Sequence, residues 1–231
     1  MKRLAIIPAR GGSKRFPRKN IRHFAGRPII GWSIAAALDS GLFDAVMVST
    51  DDAEIAAVAE EEGASVPFRR SPATSGDHAT LVEVMAEVVG AYADKGQTFD
   101  AVCCILPTAP LLTAARLAEG AQMFASGRFD SVFALVAFPA PVQRALRRDA
   151  DGMASMLHPE HYASRSQDLE PAYHDAGQFY WASAATWLSR ASVFAGRAGT
   201  LVLDPMESQD IDTEADWRLA ELKHQWRKTG A

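Results

Sequence analysis

Short apolar runs alternate with longer amphipathic stretches along most of the chain. The apolar runs predict strands at 4–7, 45–49, 101–106, 131–138, 177–183 and 201–203. The stretches between them have helical spacing and predict helices at 28–40, 52–63, 81–92, 113–126, 185–195 and from 212 onward. This βαβα order predicts an α/β fold with a mostly parallel, doubly wound sheet that helices cover on both faces.

The last helix has a clear predicted start. Thr213 and Asp216 have the spacing of a capping box, so we place the beginning of the helix near Asp212. Four apolar residues then recur at helical spacing: Ala215, Leu219, Leu222 and Trp226. This pattern predicts that the four side chains form a buried stripe.

The alternating pattern breaks at Pro139. From there to residue 175 the chain has no clean periodicity and is rich in Arg, His, Pro and Gln. A structureless loop of that length is unusual inside a compact domain. We therefore predict a single domain over residues 1–231 with an inserted, projecting arm at 139–175, which either closes over a site or packs on another subunit.

Charge is distributed very unevenly. Residues 1–38 carry nine basic residues and no acidic one, whereas the whole chain has a net charge of −4. Six of the cations lie in or beside the loop that follows the first strand: Arg10, Lys14, Arg15, Arg18, Lys19 and Arg22. Gly11 and Gly12 let the backbone approach a ligand closely and direct N–H groups at it. The order strand, glycines, cations predicts a site for a multiply charged anion such as a phosphate group, and the alternative is a solvated basic loop.

A second candidate site lies near the last helix, in the sequence SQDID. Asp210 and Asp212 are one residue apart, so on an extended segment both carboxylates point the same way while Ile211 points into the core. Such a pair suits a Mg²⁺ ion that keeps several waters and also binds substrate phosphates. The alternative is that Asp212 only caps the helix and Asp210 is a solvated neighbour.

Composition narrows the function classes. A pI near 5.9 argues against nucleic acid as the main partner, and no apolar run approaches the roughly 20 residues of a membrane span. The apolar run before Pro8 is too short for a signal peptide, and Cys103 and Cys104 read as core residues, so we expect a cytoplasmic protein. Neither a Walker A motif nor a GxGxxG dinucleotide fingerprint is present in the sequence.

Several motifs together resemble the acylneuraminate cytidylyltransferases, which activate nonulosonic (sialic-type) sugar acids with CTP. The stretches that carry the resemblance, in family order, are IPARGGSKRFPRKN, VSTDD, RRSPATSGD, LPTAPL and SQDIDTEADW. The resemblance covers nearly the whole chain. It implies a nucleotide-diphospho-sugar transferase fold of the glycosyltransferase-A type, CTP and a nine-carbon 2-keto sugar acid as substrates, Mg²⁺ as cofactor, and a homodimer in which the arm reaches the neighbouring subunit.

The resemblance also implies roles for individual residues. The triphosphate would be held by Arg10, Gly11, Gly12, Ser13, Lys14, Lys19 and Asn20. Arg70 and Thr80 would lie near the nucleoside, and Asp210 and Asp212 would bind Mg²⁺. Arg10, Lys14, Lys19 and the two aspartates would carry the catalysis. The sugar acid would contact Leu106, Arg165, Gln167, Asp175, Gln178 and Tyr180, with Arg165 supplied by the partner's arm. Arg15, Arg18 and Arg22 have no assigned role.

Two details concern the sugar. The sequence YHDAGQFYW, preceded by RSQDLE, looks like the pseudaminic acid branch of the family. Sialate enzymes usually place a Gln just before the PTxP turn, whereas this chain has Leu106, which suits a less hydroxylated sugar. Alternative substrates are legionaminic acid, N-acetylneuraminic acid and Kdo. The alternative from another class is a nucleotide-binding regulatory protein without catalysis.

Overall fold

The computed structural model describes residues 1–12 and 16–230. Its strands, in chain order, are β1 (Arg3–Pro8), β2 (His23–Phe24), β3 (Arg27–Pro28), β4 (Ala45–Ser49), β5 (Ala101–Ile105), β6 (Ser131–Ala137), β7 (Leu146–Arg148), β8 (Ala154–Met156), β9 (Tyr173–Ser183) and β10 (Ala198–Leu203). Its α-helices are α1 (Ile29–Asp39), α2 (Ala53–Glu61), α3 (Pro72–Ser75), α4 (Leu81–Asp94), α5 (Ala114–Ala125), α6 (Ala184–Leu188) and α7 (Glu214–Thr229). Single turns of 3-10 helix lie at Lys19–Ile21, Val142–Arg144, Pro159–His161, Ser166–Asp168 and Pro205–Glu207.

A six-stranded sheet forms the centre of the molecule, in the order β10-β6-β9-β5-β1-β4. Strand β1 is parallel to both of its neighbours, and β10 is parallel to β6. Strand β9 is antiparallel to β5 and β6 and separates the two parallel groups. The predicted α/β class with a mostly parallel sheet is confirmed, and the antiparallel β9 is an addition to it.

Apolar side chains cover both faces of this sheet. On one face Ile30, Ile34 and Leu117 from α1 and α5 pack in a cluster that includes Cys103. On the other face residues of α4 and α6 pack in a cluster that includes Cys104. Adjacent strand residues point to opposite faces, which is why the two cysteines belong to different clusters. Both are fully buried free thiols, and burial raises the pKa of each, so they are core residues as predicted.

Helix α7 begins where the sequence predicts but presents a different face to the core. Thr213 and Asp216 form the predicted capping box. The predicted stripe is wrong: Leu219, Leu222 and Trp226 are 45%, 64% and 47% exposed, and Ala215 is exposed as well. The buried residues are Trp217 and Ala220, which pack in a third cluster with Phe16, Phe24, Ile29 and Ile211. Packing against Phe16 and Phe24 therefore determines that the Trp217 face of α7, and not the Leu219 face, is buried.

The region after β6 has more structure than the sequence predicts. The predicted arm contains the β7–β8 hairpin and three turns of 3-10 helix, and its last residues already belong to β9. The helix predicted at 185–195 is shorter, since α6 ends at Leu188. Within 1–12 and 16–230, no helix combines the length and the apolar character needed to cross a bilayer.

Candidate active site

A cavity of about 400 Å³ lies at the carboxyl ends of β1 and β5. In a doubly wound sheet this is the edge at which ligands bind. Its lining comes from the first loop, the loop before α4, the turn after β5 and the segment before α7: Pro8, Arg10, Phe16, Lys19, Asn20, Asp77, Leu106, Pro107, Thr108, Asp210 and Asp212. The fold thus brings the basic loop and the aspartate pair, 190 residues apart in sequence, to one site.

The first loop approaches the segment after β4 so closely that a side chain is excluded. A Cβ atom at Gly11 would lie 2.5 Å from Oδ2 of Asp52, and the Gly11 N–H donates to Asp51 at 3.2 Å. Asn20 is buried and its side-chain amide donates to the carbonyl of Arg10 at 3.0 Å. Among the described residues other than its chain neighbours, none has an atom within 4 Å of the Cβ position at Gly12. The loop is therefore fixed at Gly11 and Asn20. The predicted phosphate ligands Ser13 and Lys14, and Arg15, lie outside the described residues.

Lys19 links the basic loop to the aspartate pair. Its Nζ atom donates to the carbonyl of Ile211 and lies 3.9 Å from Oδ1 of Asp212. The side chain is 16% exposed, so its charge is only partly screened by water. A cation held beside Asp212 can meet a phosphate group that enters the same cavity.

Arg18 and Arg22, which have no role assigned from sequence, hold the first loop to other elements. Arg18 donates to Asp52 and Glu54, and its guanidinium lowers the pKa of Asp52. Arg22 makes two hydrogen bonds with Glu214, at 2.7 and 2.9 Å. The Arg22 guanidinium also stands over the rings of Phe16 and Trp217, which stack at 5.4 Å. These contacts join the basic loop to α2 and α7.

The Asp210–Asp212 segment has the predicted alternation. Ile211 is completely buried, whereas both carboxylates line the cavity. No group of three or more His, Cys, Asp or Glu side chains able to hold a metal occurs within 1–12 and 16–230. Two carboxylates beside a cavity that would admit a triphosphate fit Mg²⁺, which commonly takes one or two protein carboxylates together with waters and substrate phosphates.

The loop before α4 contributes Asp77, which sequence reasoning missed. Arg10 donates to Oδ1 of Asp77 at 2.6 Å at the cavity wall. Glu87 of α4 holds this loop by accepting from Ser71 and Thr74. Burial raises the pKa of Glu87, but these hydrogen bonds outweigh it and leave the pKa below its usual value. The sequence signal that could have identified Asp77 is its acidic side chain in a polar loop, because the predicted site also contains a basic loop that could pair with it.

Of the predicted nucleotide-binding residues that the structure describes, Gly11, Gly12, Arg70 and Thr80 do not line this cavity. Arg70 is buried and donates to the side chain and the carbonyl of Ser49. Burial lowers the pKa of its guanidinium, and the carboxylates of Asp51 and Glu87 oppose that shift. Thr80 is the N-cap of α4, and its hydroxyl takes part in a capping box with Glu83.

The predicted sugar-binding residues do not all lie in one cavity. Leu106 lines the main cavity, while Gln178 is 3% exposed and donates to the carbonyl of Glu207 at 2.6 Å. Asp175 and Tyr180 line a second cavity of about 250 Å³. The rest of its lining is Leu81, Val82, Trp187, Arg190, Ser192, Val193 and Phe194.

Tyr180 and Asp175 form a polar pair in the otherwise largely apolar second cavity. The Tyr180 hydroxyl donates to Oδ2 of Asp175. Burial, followed by the charge of Asp175, raises the pKa of Tyr180, so the phenol stays protonated. The charge of Asp210 contributes to the same shift, which means that the Tyr180 site and the main cavity are within electrostatic range of each other.

Arg165 and Gln167 are exposed on the arm and line neither of these two cavities. The Arg165 side chain is 73% exposed and its Nε donates to Asp168 at 2.8 Å. Within one chain these two residues are therefore not brought to the main cavity.

Comparison with known proteins identifies the family. The profile described as "Cytidylyltransferase" matches residues 4–222, nearly the full chain. The chain belongs to the cytidylyltransferase family. This cytidylyltransferase is thus a nucleotidyltransferase that uses CTP, as the resemblance of its motifs had implied.

Two curated relatives match this cytidylyltransferase over nearly their full length. It is 42% identical over 222 residues to a pseudaminic acid cytidylyltransferase of Campylobacter jejuni, covering 96% of each chain. It is 32% identical to a CMP-N,N'-diacetyllegionaminic acid synthase of Legionella pneumophila, covering 96% of this chain and 95% of that protein.

A solved structure shares the fold of this cytidylyltransferase. The structure of a CMP:2-keto-3-deoxy-manno-octonic acid synthetase complexed with CTP aligns over 99% of this chain and all of that one, with a TM-score of 0.69. The two sequences are 17% identical, so this likeness concerns the fold alone.

Proposed function

We propose that this cytidylyltransferase activates a nonulosonic acid, with pseudaminic acid as the favoured substrate, to give the CMP-sugar and pyrophosphate. The main support for this proposal is that one cavity is lined by Arg10 and Lys19 together with Asp210 and Asp212. The identity to the Campylobacter jejuni enzyme, which exceeds that to the Legionella pneumophila enzyme by ten percentage points, favours pseudaminic acid over legionaminic acid. N-acetylneuraminic acid and Kdo are further alternatives.

The reaction is an in-line displacement at the α-phosphorus of CTP. The anomeric hydroxyl of the sugar acid forms the new P–O bond and gives up its proton to water, and the bond to the β-phosphate breaks to release pyrophosphate. Arg10 and Lys19 hold the triphosphate and offset the charge that develops on the leaving group. Asp210 and Asp212 would hold Mg²⁺, which when bound offsets phosphate charge and lowers the pKa of a coordinated hydroxyl.

The sugar acid has two candidate contacts in this proposal. Leu106 gives the main cavity an apolar wall after β5. The second cavity offers the Asp175–Tyr180 pair among apolar side chains. A sugar with acylamino and deoxy groups carries both polar and apolar parts, and such a lining suits it better than a fully hydroxylated sugar.

The experiment is an assay of pyrophosphate release from CTP, Mg²⁺ and each of four acids: pseudaminic, legionaminic, N-acetylneuraminic and Kdo. We expect kcat/KM for pseudaminic acid to exceed the others by about tenfold or more, a difference that a few changed pocket contacts can supply. A higher value for another acid would reassign the substrate. CTP binding with no release for any acid would support a regulatory nucleotide-binding protein instead.

We further propose that the enzyme is a homodimer whose arm completes the partner's site. The arm exposes Leu146, Met153, Leu157 and Tyr162 at 49–80%, an apolar surface of the kind that a partner covers. Arg165 projects from this arm, and an arginine is suited to the planar carboxylate of a sugar acid.

Arg165→Ala is expected to raise the KM for the sugar acid about tenfold and to leave the KM for CTP unchanged. The reason is the loss of one charge-assisted hydrogen bond to the substrate carboxylate. Arg147→Ala, which removes an exposed arginine from the same arm, is the matched control and is expected to behave as wild type. An equal rise in both KM values in Arg165→Ala would contradict a sugar-contacting arm.

A further inference from the structure

The segment that carries the two aspartates pairs with no strand within residues 1–12 and 16–230. After the 3-10 turn at Pro205–Glu207, residues 208–213 run to the start of α7 without a regular backbone ladder. Its position therefore depends on contacts that individual side chains make. Gln178 donates to Glu207 on one side, and Ser208 donates to the carbonyl of Ala176 at 2.7 Å.

Lys223 of α7 makes three of these contacts. Its Nζ atom donates to the carbonyls of Pro205 and Ser208, each at 2.7 Å, and to the side-chain oxygen of Gln209 at 3.0 Å. These three acceptors match the three protons of the ammonium group. The acceptors end one residue before Asp210.

The local environment of Lys223 affects both its charge and its hydrogen bonds. Lys223 is half-buried, and burial lowers its pKa. Charge-assisted hydrogen bonds in a partly dry site are stronger than those in water, and the carbonyls of Pro205 and Ser208 would otherwise need new partners. Lys19 holds the same segment at a second point, through the carbonyl of Ile211.

We propose that Lys223 is a positioning residue that sets the geometry of the Asp210–Asp212 pair and thereby the affinity of the enzyme for its divalent cation. Lys223 does not line the main cavity, so it acts through the segment it holds. The inference rests on the proposed metal role of the two aspartates. Groups that orient metal ligands typically change metal affinity about 10- to 100-fold when they are removed.

The test measures Mn²⁺ binding to the full-length protein by electron paramagnetic resonance, together with kinetics at varied Mg²⁺. Lys223→Met keeps the length of the apolar stem and removes the three donors. We expect its Mn²⁺ dissociation constant and its half-saturating Mg²⁺ concentration to rise about tenfold, while the KM for the sugar acid stays unchanged. Lys223→Arg, which keeps the charge and several donors, is expected to recover part of the loss.

Lys228→Met is the matched control, because Lys228 is on the same helix and its ammonium stands over the Trp32 ring without holding the segment. Wild-type Mn²⁺ affinity in Lys223→Met, or an equal rise in Lys228→Met, would overturn the proposal. If Lys223→Met does not fold, Gln209→Leu removes one of the three acceptors, and unchanged Mn²⁺ affinity in that variant would overturn it as well.

Two further variants separate this inference from the proposed function. Asp210→Asn and Asp212→Asn are expected to lose Mn²⁺ binding. Loss in these two with no change in Lys223→Met would reject the positioning role and leave the metal assignment standing. No loss in any of the three would reject the metal assignment together with the role of Lys223, whereas pyrophosphate release by the wild-type enzyme tests nucleotidyl transfer independently.

Discussion

Asp212→Asn is expected to lower kcat about a thousandfold, which corresponds to a loss of about 4 kcal/mol of transition-state stabilisation. Asparagine has nearly the size of aspartate but lacks the charge with which this residue would hold Mg²⁺. The fold should survive, because the backbone N–H of Asp212 donates to Asp216 and the capping box of α7 does not use the Asp212 side chain.

The measurement is single-turnover formation of the CMP-sugar at saturating CTP, followed by a titration with Mg²⁺ and thermal unfolding. Asp39→Asn, which neutralises an exposed carboxylate at the end of α1, is the control and should retain wild-type turnover. Chelation of divalent cations in the wild-type enzyme should reproduce the loss. Near-normal turnover of Asp212→Asn at high Mg²⁺ would rule out the metal role.

Lys19→Met is expected to lower kcat about a hundredfold, with a smaller rise in the KM for CTP. The Lys19 ammonium lies beside Asp212 and has limited exposure, so its charge acts on phosphate groups in the cavity with little screening. Because the negative charge on the leaving group grows in the transition state, the loss should fall mainly on kcat.

Lys2→Met, a change of the same type at an exposed position before β1, is the control and should leave the kinetics unaltered. Lys19→Arg keeps the positive charge and should retain more activity than Lys19→Met. If Lys19→Met changed only the KM for the sugar acid, the result would show that the first loop does not bind the triphosphate.

Much of the central sheet was predictable from sequence because its strands are buried on both faces. The apolar runs of β1, β4 and β5 stand out against the amphipathic helices for that reason. The Asp210–Asp212 alternation was predictable for a related reason, since a period of two separates the core-facing Ile211 from its neighbours. These are local signals that tertiary contacts did not override.

The orientation of α7 was not predictable from its own sequence. Two apolar arcs run along this helix, and the arc with Leu219 and Leu222 has the more regular spacing. The arc with Trp217 is buried because Phe16 of the first loop and Phe24 of β2 pack against it, and both lie near the other end of the chain. Local periodicity holds no information about such a distant partner.

The direction of β9 and the roles of the unassigned arginines could not be predicted from the sequence either. An apolar run has the same pattern in a parallel and in an antiparallel strand. The chain reverses direction within the arm before β9, where the sequence has no regular periodicity that would indicate it. Arg18 and Arg22 look like members of the same basic cluster as Arg10. Only the positions of Asp52 and Glu214 distinguish cations that hold the loop from those that face the cavity.

The pairing of β6 with β9 has a consequence for how the enzyme can vary. Ala137 pairs with Tyr173, and the Phe138 N–H donates to the carbonyl of Ala172 at 3.0 Å, so the arm leaves and re-enters the sheet at adjacent points. Insertions, deletions or replacements between these two points are therefore expected to leave the strand register unchanged. If the arm contacts the sugar acid and the partner as proposed, changes in its sequence are expected to alter those preferences without altering the nucleotide-binding end of the sheet.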